Sequence, residues 1–289
     1  MLLDELKSVL SFAAFRPDAD DPDVPWAKRF EGRKTLLINV SRTQTSWRGM
    51  GRKGKLDEGG LQDGDFADIA PQRAEEWRAM ADGGWCMVSI NHRFIISLES
   101  NLMRGENCVS LLRTNPRAVL GPKYDRGKRY AVCHHPETTT SLMLASEESM
   151  VKVTEDVLRT IGMRPARVCC GLFAMIENTM THIHDERKGG NPSEFVLVAA
   201  SEGSLAVVVQ QDGQWSEVRC RSGLGQEAVE TAVQIIGPLV SKISSGTPVF
   251  FVTDGQDPKF RNELMLHLEK LGAQDLTEED LLWDLLIHH

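Results

Sequence analysis

The sequence predicts an α/β protein of two subdomains built on mixed sheets. Three observations carry this: strand-length apolar runs recur in both halves, each half reads as antiparallel strands followed by a helix and another strand, and helical periodicity fills the intervals. With 41% hydrophobic and 26% charged residues in a chain of 289, a substantial core closes without metal or disulfide staples. The 33 Lys and Arg against 41 Asp and Glu leave a net charge of −8, which opposes general attraction to nucleic acid or anionic lipid. Cys86, Cys108, Cys133, Cys169, Cys170 and Cys220 show no Cys-x-x-Cys spacing, and a reduced, cytoplasmic setting is expected. The longest apolar runs, 195–200 and 205–209, fall far short of the roughly 18 residues of a membrane-spanning helix. The acidic start Met-Leu-Leu-Asp-Glu-Leu-Lys also lacks the basic region of an export signal.

Leu2, Leu3, Leu6, Val9, Leu10 and Ala13 recur at helical spacing, so a short amphipathic helix is expected over 2–14. An acidic arm with Pro17, Pro22 and Pro25 follows it. Strands are expected at 35–40 and 44–49, with a further one at 53–58. A turn-rich stretch at 59–65 precedes a helix at 68–81 and strands at 86–90 and 94–98. The chain from 103 to 129 reads as irregular, broken by Asn115-Pro116 and Gly121-Pro122. Strands at 130–134 and 141–145 lead to Ser146 as N-cap of a helix at 147–161, with Met150, Val153, Val157 and Ile161 towards the core. A strand at 167–170, a helix at 172–184 and a loop at 188–192 come next. A meander then runs through 195–200, 205–210 and 215–219, turning at Gly203 and Asp212-Gly213. Helices at 226–242, 258–271 and 278–287 and a strand at 249–253 complete the chain. The expected division is 1–32 as helix and linker, 33–187 as the first subdomain with a small insertion around 100–145, and 188–289 as the second with its C-terminal helix.

Gly49-Met50-Gly51-Arg52-Lys53-Gly54 has the letters of a dinucleotide fingerprint, but no helix follows to receive a pyrophosphate, so a cationic β-turn is expected there. Cys133-His134-His135 and His182-x-His184-Asp185 carry metal-ligand chemistry at poor spacing. Neighbouring strand residues face opposite ways, and i, i+2 is misaligned on a helix, so no metal site is expected. Cys169 and Cys170 read as core. No nucleophile elbow or carboxylate pair stands out.

The doubled layout resembles the actin-like (ribonuclease H-like) fold, and within it the branch of the PilM family of type IV pilus systems and the GspL cytoplasmic domains of type II secretion. Ser141-Leu-Met-Leu-Ala-Ser-Glu-Glu-Ser-Met-Val, Ile161-Gly-Met-Arg-Pro-Ala-Arg-Val and the helix from Leu172 are similar to that branch, as are Gly60-Leu-Gln-Asp-Gly-Asp-Phe-Ala-Asp and the strands around Asn91. The likeness spans most of 33–272. ATP-binding members of the fold place an acidic residue and glycine in each of two phosphate-binding turns, where N–H groups hold phosphate and carboxylate orients the hydrated metal. Here the counterparts are Ile38-Asn39-Val40-Ser41-Arg42-Thr43 and Val198-Ala199-Ala200-Ser201-Glu202-Gly203-Ser204, and the adenosine-side turn is Val252-Thr253-Asp254-Gly255-Gln256. The resemblance thus marks Asn39, Ser41, Thr43, Ser201, Glu202, Ser204 and Gly255 as degenerate nucleotide-loop positions.

It implies a noncatalytic cytoplasmic scaffold without a cofactor. Such a scaffold would bind a short cytoplasmic segment of an inner-membrane pilus or secretion component, in a groove within 100–165, by groove docking or edge-strand addition. Self-association into a homo-oligomer is compatible with this. The alternatives are an ATPase or sugar-kinase-like enzyme with divergent loops, and a filament-forming actin-like protein.

Overall fold

The computed structural model describes residues 30, 32–105, 107–134, 139–184, 192–201, 203–224, 228–254 and 258–288. The expected helix at 2–14, the acidic arm and 188–191 lie outside them, as do His135, Asp185, Glu202 and Gly255. In chain order the elements are β1 (Thr35–Val40), β2 (Gln44–Met50), β3 (Leu56–Asp63), α1 (Phe66–Met80), β4 (Trp85–Ile90), β5 (Phe94–Glu99), α2 (Cys108–Thr114), α3 (Pro116–Leu120), β6 (Lys128–His134), β7 (Ser141–Glu147), α4 (Glu148–Thr160), β8 (Arg164–Cys169) and α5 (Gly171–Ile183). There follow β9 (Phe195–Ser201), β10 (Ser204–Gln211), β11 (Gln214–Ser222), α6 (Ala228–Val240), β12 (Val249–Thr253), α7 (Pro258–Leu268), β13 (Gln274–Asp275) and α8 (Leu281–His288).

Two five-stranded mixed sheets, ordered β3-β2-β1-β4-β8 and β11-β10-β9-β12-β13, carry the two halves, and β5-β7-β6 forms a third, antiparallel sheet. Strand alternation assigns the faces. Leu36, Ile38, Val40, Cys86, Val88 and Ile90 meet Phe66, Ile69 and Trp77 of α1 and Val151 and Leu158 of α4. On the opposite face, Leu37 and Met87 meet Trp283, Leu286 and Ile287 of α8. In the second sheet, Val196, Val198, Leu205, Val207 and Phe251 pack on α6 and α7, while Phe195, Leu197, Val208 and Val252 pack on α5. The apolar helix α5 therefore lies at the centre, against the second sheet and also against Phe94, Ile96, Leu142 and Leu144 of the three-stranded sheet.

Four local expectations are corrected. The stretch 59–65 is largely strand: Gly59 and Gly60 continue β3 past Trp47, because a Cβ on Gly59 would sit 1.8 Å from the Trp47 carbonyl oxygen and one on Gly60 would sit 2.4 Å from its ring. The glycines serve close approach here rather than a turn. The segment 103–129 holds the short helices α2 and α3, whose Leu112, Val119 and Leu120 pack with Leu102 and Met143. Ser146 is not an N-cap. It remains in β7 opposite Phe94 and Arg129, and Glu147 takes the cap position without a capping side-chain bond. On α4 the expected Met150, Val157 and Ile161 do pack against the core, partly buried beside the buried Val151, Thr154 and Leu158, but Val153 is 51% exposed and does not. The two-residue strand β13 had no counterpart in the sequence pattern. The turn at Asp212-Gly213 forms as expected, with φ of 50° and 72°.

Candidate functional site

Two places compete for function: the cleft where the resemblance puts nucleotide, and a groove beside the insertion. In the cleft, β1 and β4 run parallel and deliver Asn39, Ser89 and Asn91 to the face opposite α1. A buried amide needs partners. Asn91 Nδ2 donates to Asn39 Oδ1 at 2.6 Å, and Asn91 Oδ1 accepts from the Leu172 N–H at 3.3 Å. Ser89 Oγ accepts the Gly171 N–H at 3.0 Å. The N-terminus of α5, whose free N–H groups could otherwise hold an anion, is thereby engaged by side chains of the protein itself. Gly171 is required here, since a Cβ would lie 2.4 Å from Ser89 Oγ and 2.6 Å from a Leu282 methyl.

Of the marked turn residues that are described, Ser41, Ser201 and Ser204 are buried and hydrogen-bonded within the protein. Ser41 Oγ accepts from Thr43 N at 3.3 Å and Gln44 N at 3.2 Å and donates to the Gln44 carbonyl, closing the β1–β2 turn on itself. Thr43 is exposed, and its carbonyl accepts the Gly64 N–H. Ser204 at the head of β10 donates to the Asn91 carbonyl, which ties the second half to the first. Ser201 donates to Asp254 Oδ2 at 2.5 Å, and Thr253 donates to Oδ1 at 3.5 Å. The structure thus brings together Asn39, Asn91 and Ser204 as one set and Ser201 and Asp254 as another.

The histidine clusters are separate from both. His134 contacts Cys108 Sγ at 3.3 Å and Ser141 Oγ at 2.6 Å. Cys133 packs on the opposite face, where burial pushes its thiol up to about 12. His184 lies edge-on to Phe195 at 5.7 Å. Among the described residues no three His, Cys, Asp or Glu side chains converge as metal ligands.

The groove, of about 710 Å³, has a different construction. Its walls include the consecutive runs 128–131 of β6 and 165–169 of β8, with Cys170 beyond it. A sheet face would contribute every second residue, so consecutive lining means that strand edges face the space. Both strands are indeed last in their sheets among the described residues. Pro165, which lacks an N–H, fits such an edge. Six residues of β8 measure roughly 17–20 Å at about 3.3 Å per residue, enough to accompany one extended segment.

Arg129 braces one wall from β6 to α4, with Nε 2.6 Å from Glu148 Oε2 and Nη1 2.6 Å from Glu155 Oε1. Burial works against the Arg129 charge, but the hydrogen bonds it donates to both carboxylates outweigh it and raise its pKa, while holding Glu148 below the usual carboxylate range. At the rim, Arg113, Arg126 and Lys128 engage no carboxylate among the described residues. From the floor, α5 contributes Phe173, Ala174 and Glu177. Burial pushes the Glu177 carboxyl up to about 7, against the opposing pull of Arg167. Arg167 itself donates from Nη1 to the Leu285 and Leu286 carbonyls, at 3.0 Å each, joining β8 to the end of α8. Sequence reasoning missed Glu177 as a site residue, although a lone carboxylate inside the apolar run 172–180 was a readable signal.

Two mixed sheets of matching order with a helix between them define the actin-like class. Solved structures agree. The chain is similar to a protein of actin-like ATPase fold and unknown function from Bacteroides thetaiotaomicron, at 10% identity, covering 89% of this chain and 96% of that one with a TM-score of 0.54. It is also similar to the structure described as the PilM–PilN type IV pilus biogenesis complex, at 12% identity, 87% and 89% coverage and a TM-score of 0.51. A third, the cytoplasmic domain of EpsL, an inner-membrane component of the type II secretion system of Vibrio cholerae, covers 87% of this chain and 94% of that one at 10% identity; its TM-score of 0.48 adds nothing to the argument. No protein-family model and no curated protein matches the chain. At these identities the likeness is one of fold, and the chain has the actin-like fold that its sequence resembles.

Proposed function

We propose that the protein is a noncatalytic, cytoplasmic actin-like scaffold of a type IV pilus or type II secretion-like assembly machine, and that it holds a short segment of an inner-membrane partner in the groove between β6 and β8. The observation that carries this is that β6 and β8, each last in its sheet among the described residues, line opposite walls of about 710 Å³, since an extended peptide gains main-chain hydrogen bonds from a strand edge and specificity from side pockets. The PilM–PilN complex supports it by the company its first-named chain keeps. Self-bonding of Ser41, Ser89, Asn91 and Ser201 in the cleft supports the noncatalytic role, because the groups that would meet phosphate or metal are already engaged. Among the described residues no helix is long and apolar enough to cross a membrane.

The test is capture of pilus or secretion components from detergent-solubilised membranes of cells that make the protein. Ala131→Trp, which fills the groove, should abolish capture while the variant still unfolds cooperatively, at a lowered melting temperature because Ala131 also packs on the core. The exposed double reversal Arg113→Glu/Arg126→Glu, which disturbs no packed side chain, should change its strength. Capture unaffected by either variant refutes the groove. A second reading, a nucleotide-binding member of the fold, is favoured by Asp254, a carboxylate kept at the cleft. Calorimetry with Mg-ATP separates the two: micromolar binding or turnover would replace the scaffold with an ATPase.

A further inference from the structure

Glu177 is a carboxylate in an expensive place. It sits on the central helix α5, whose neighbours Phe173, Ala174, Ile176 and Met180 are buried, and it reaches the floor of the groove. Among the described residues its carboxylate has no hydrogen bond or ion pair; Arg167 acts on it only as a more distant charge while bonding the carbonyls of α8. A carboxylate in such surroundings costs stability unless something compensates its charge. The groove is where compensation can enter.

We propose that Glu177 anchors a lysine or arginine side chain of the segment that occupies the groove, and so determines which segments bind. This rests on the groove being a peptide site. The geometry fits: a segment running beside β8 projects alternate side chains across the groove, and a long cationic side chain reaches a floor that a shorter one does not. Its head meets Glu177, while its aliphatic stem lies along Phe173, Ala174 and Val168. The cations at the rim would repel the same residue there, which confines it to the floor.

The contact also makes docking depend on pH. The groups facing Glu177 are Arg167 and Cys169 from β8 and Cys133 from β6. Both thiols are pushed up by burial and stay neutral near pH 7. Between pH 6 and 8.5 the titration that matters is therefore that of Glu177, which must lose its proton to hold the cation.

The test is selection of a random twelve-residue peptide library displayed on phage against the wild-type protein and Glu177→Gln, with Ala131→Trp as the groove-filled control. Wild-type selection should return peptides with a lysine or arginine at one fixed position, and these should bind Glu177→Gln roughly 30-fold more weakly. For histidine-free peptides, affinity should fall about tenfold from pH 8.5 to pH 6 in the wild type and stay flat in the variant. Gln preserves shape and removes a partly buried charge that burial disfavours, so the variant should melt no lower than the wild type. Peptides that bind in the groove without a fixed basic residue, or that bind Glu177→Gln equally well, overturn the anchor and leave the groove standing. Selection that returns nothing sensitive to Ala131→Trp overturns the groove and the anchor with it.

Discussion

The two sheets repeat one another strand for strand, β3-β2-β1-β4-β8 against β11-β10-β9-β12-β13, yet they close their outer edges differently. In the second half, the chain passes from β12 through α7 straight to the two-residue strand β13. In the first, β5, α2, α3, β6, β7 and α4 intervene between β4 and β8, and the inserted sheet stands opposite the β8 edge. A frame used twice thus gains a groove beside β8, where the insertion provides a second wall. A second asymmetry lies in α8, which follows the second sheet in the chain but packs Trp283, Leu286 and Ile287 on the first.

The largest way to break this comparison is to remove the α8 anchor. Trp283→Ala should cost about 3–5 kcal/mol in chemical denaturation, because Trp283 is almost fully buried between Leu37, Met50 and Met87. Glu177→Gln probes the groove side and should stabilise by about 2–3 kcal/mol above pH 7. The sign follows from the raised pKa: between the ordinary value of 4.5 and about 7 the folded state binds more protons than the unfolded one. Wild-type stability therefore falls as pH rises through that window, and the gain in the variant should vanish below pH 4.5, as a series of denaturation curves will show. Gly171→Ala forces a Cβ against Ser89 and Leu282 where α5 begins, and should cost about 1–3 kcal/mol. The smallest contrast is between the braces of the two edges. Arg129→Gln on β6 and Arg261→Gln, which frees Asp275 of β13, should each cost about 1 kcal/mol, because these pairs are partly exposed.

Much of the frame was legible because its signals are local. Alternation and short apolar runs place β1, β9, β10 and β12, and the Asp212-Gly213 turn follows from its own two residues. Where neighbours far along the chain decide the outcome, local reading fails. Gly59 and Gly60 look like a turn until Trp47 lies across them. The helix α4 presents Val151 rather than Val153 because α1 and β8 fix its rotation. Of the marked cleft residues, Asn39, Ser41, Ser201 and Ser204 do lie at strand ends and turns, but their mutual bonding runs through Asn91 and Asp254, which residue type alone does not reveal. The groove assembles from pieces of β6, α4, β8 and α5 and has no linear motif. Its one sequence trace is the carboxylate of Glu177 within an apolar helix.

The central claim is that the working surface lies between β6 and β8 and not between the lobes. Hydrogen–deuterium exchange of the full chain, with and without a peptide returned by the selection, tests it most directly. The expected result is new protection at backbone amides of 128–134 and 164–169, with the turns at 41–43 and 203–204 unchanged. Protection confined to those turns, with β6 and β8 unaffected, would contradict it.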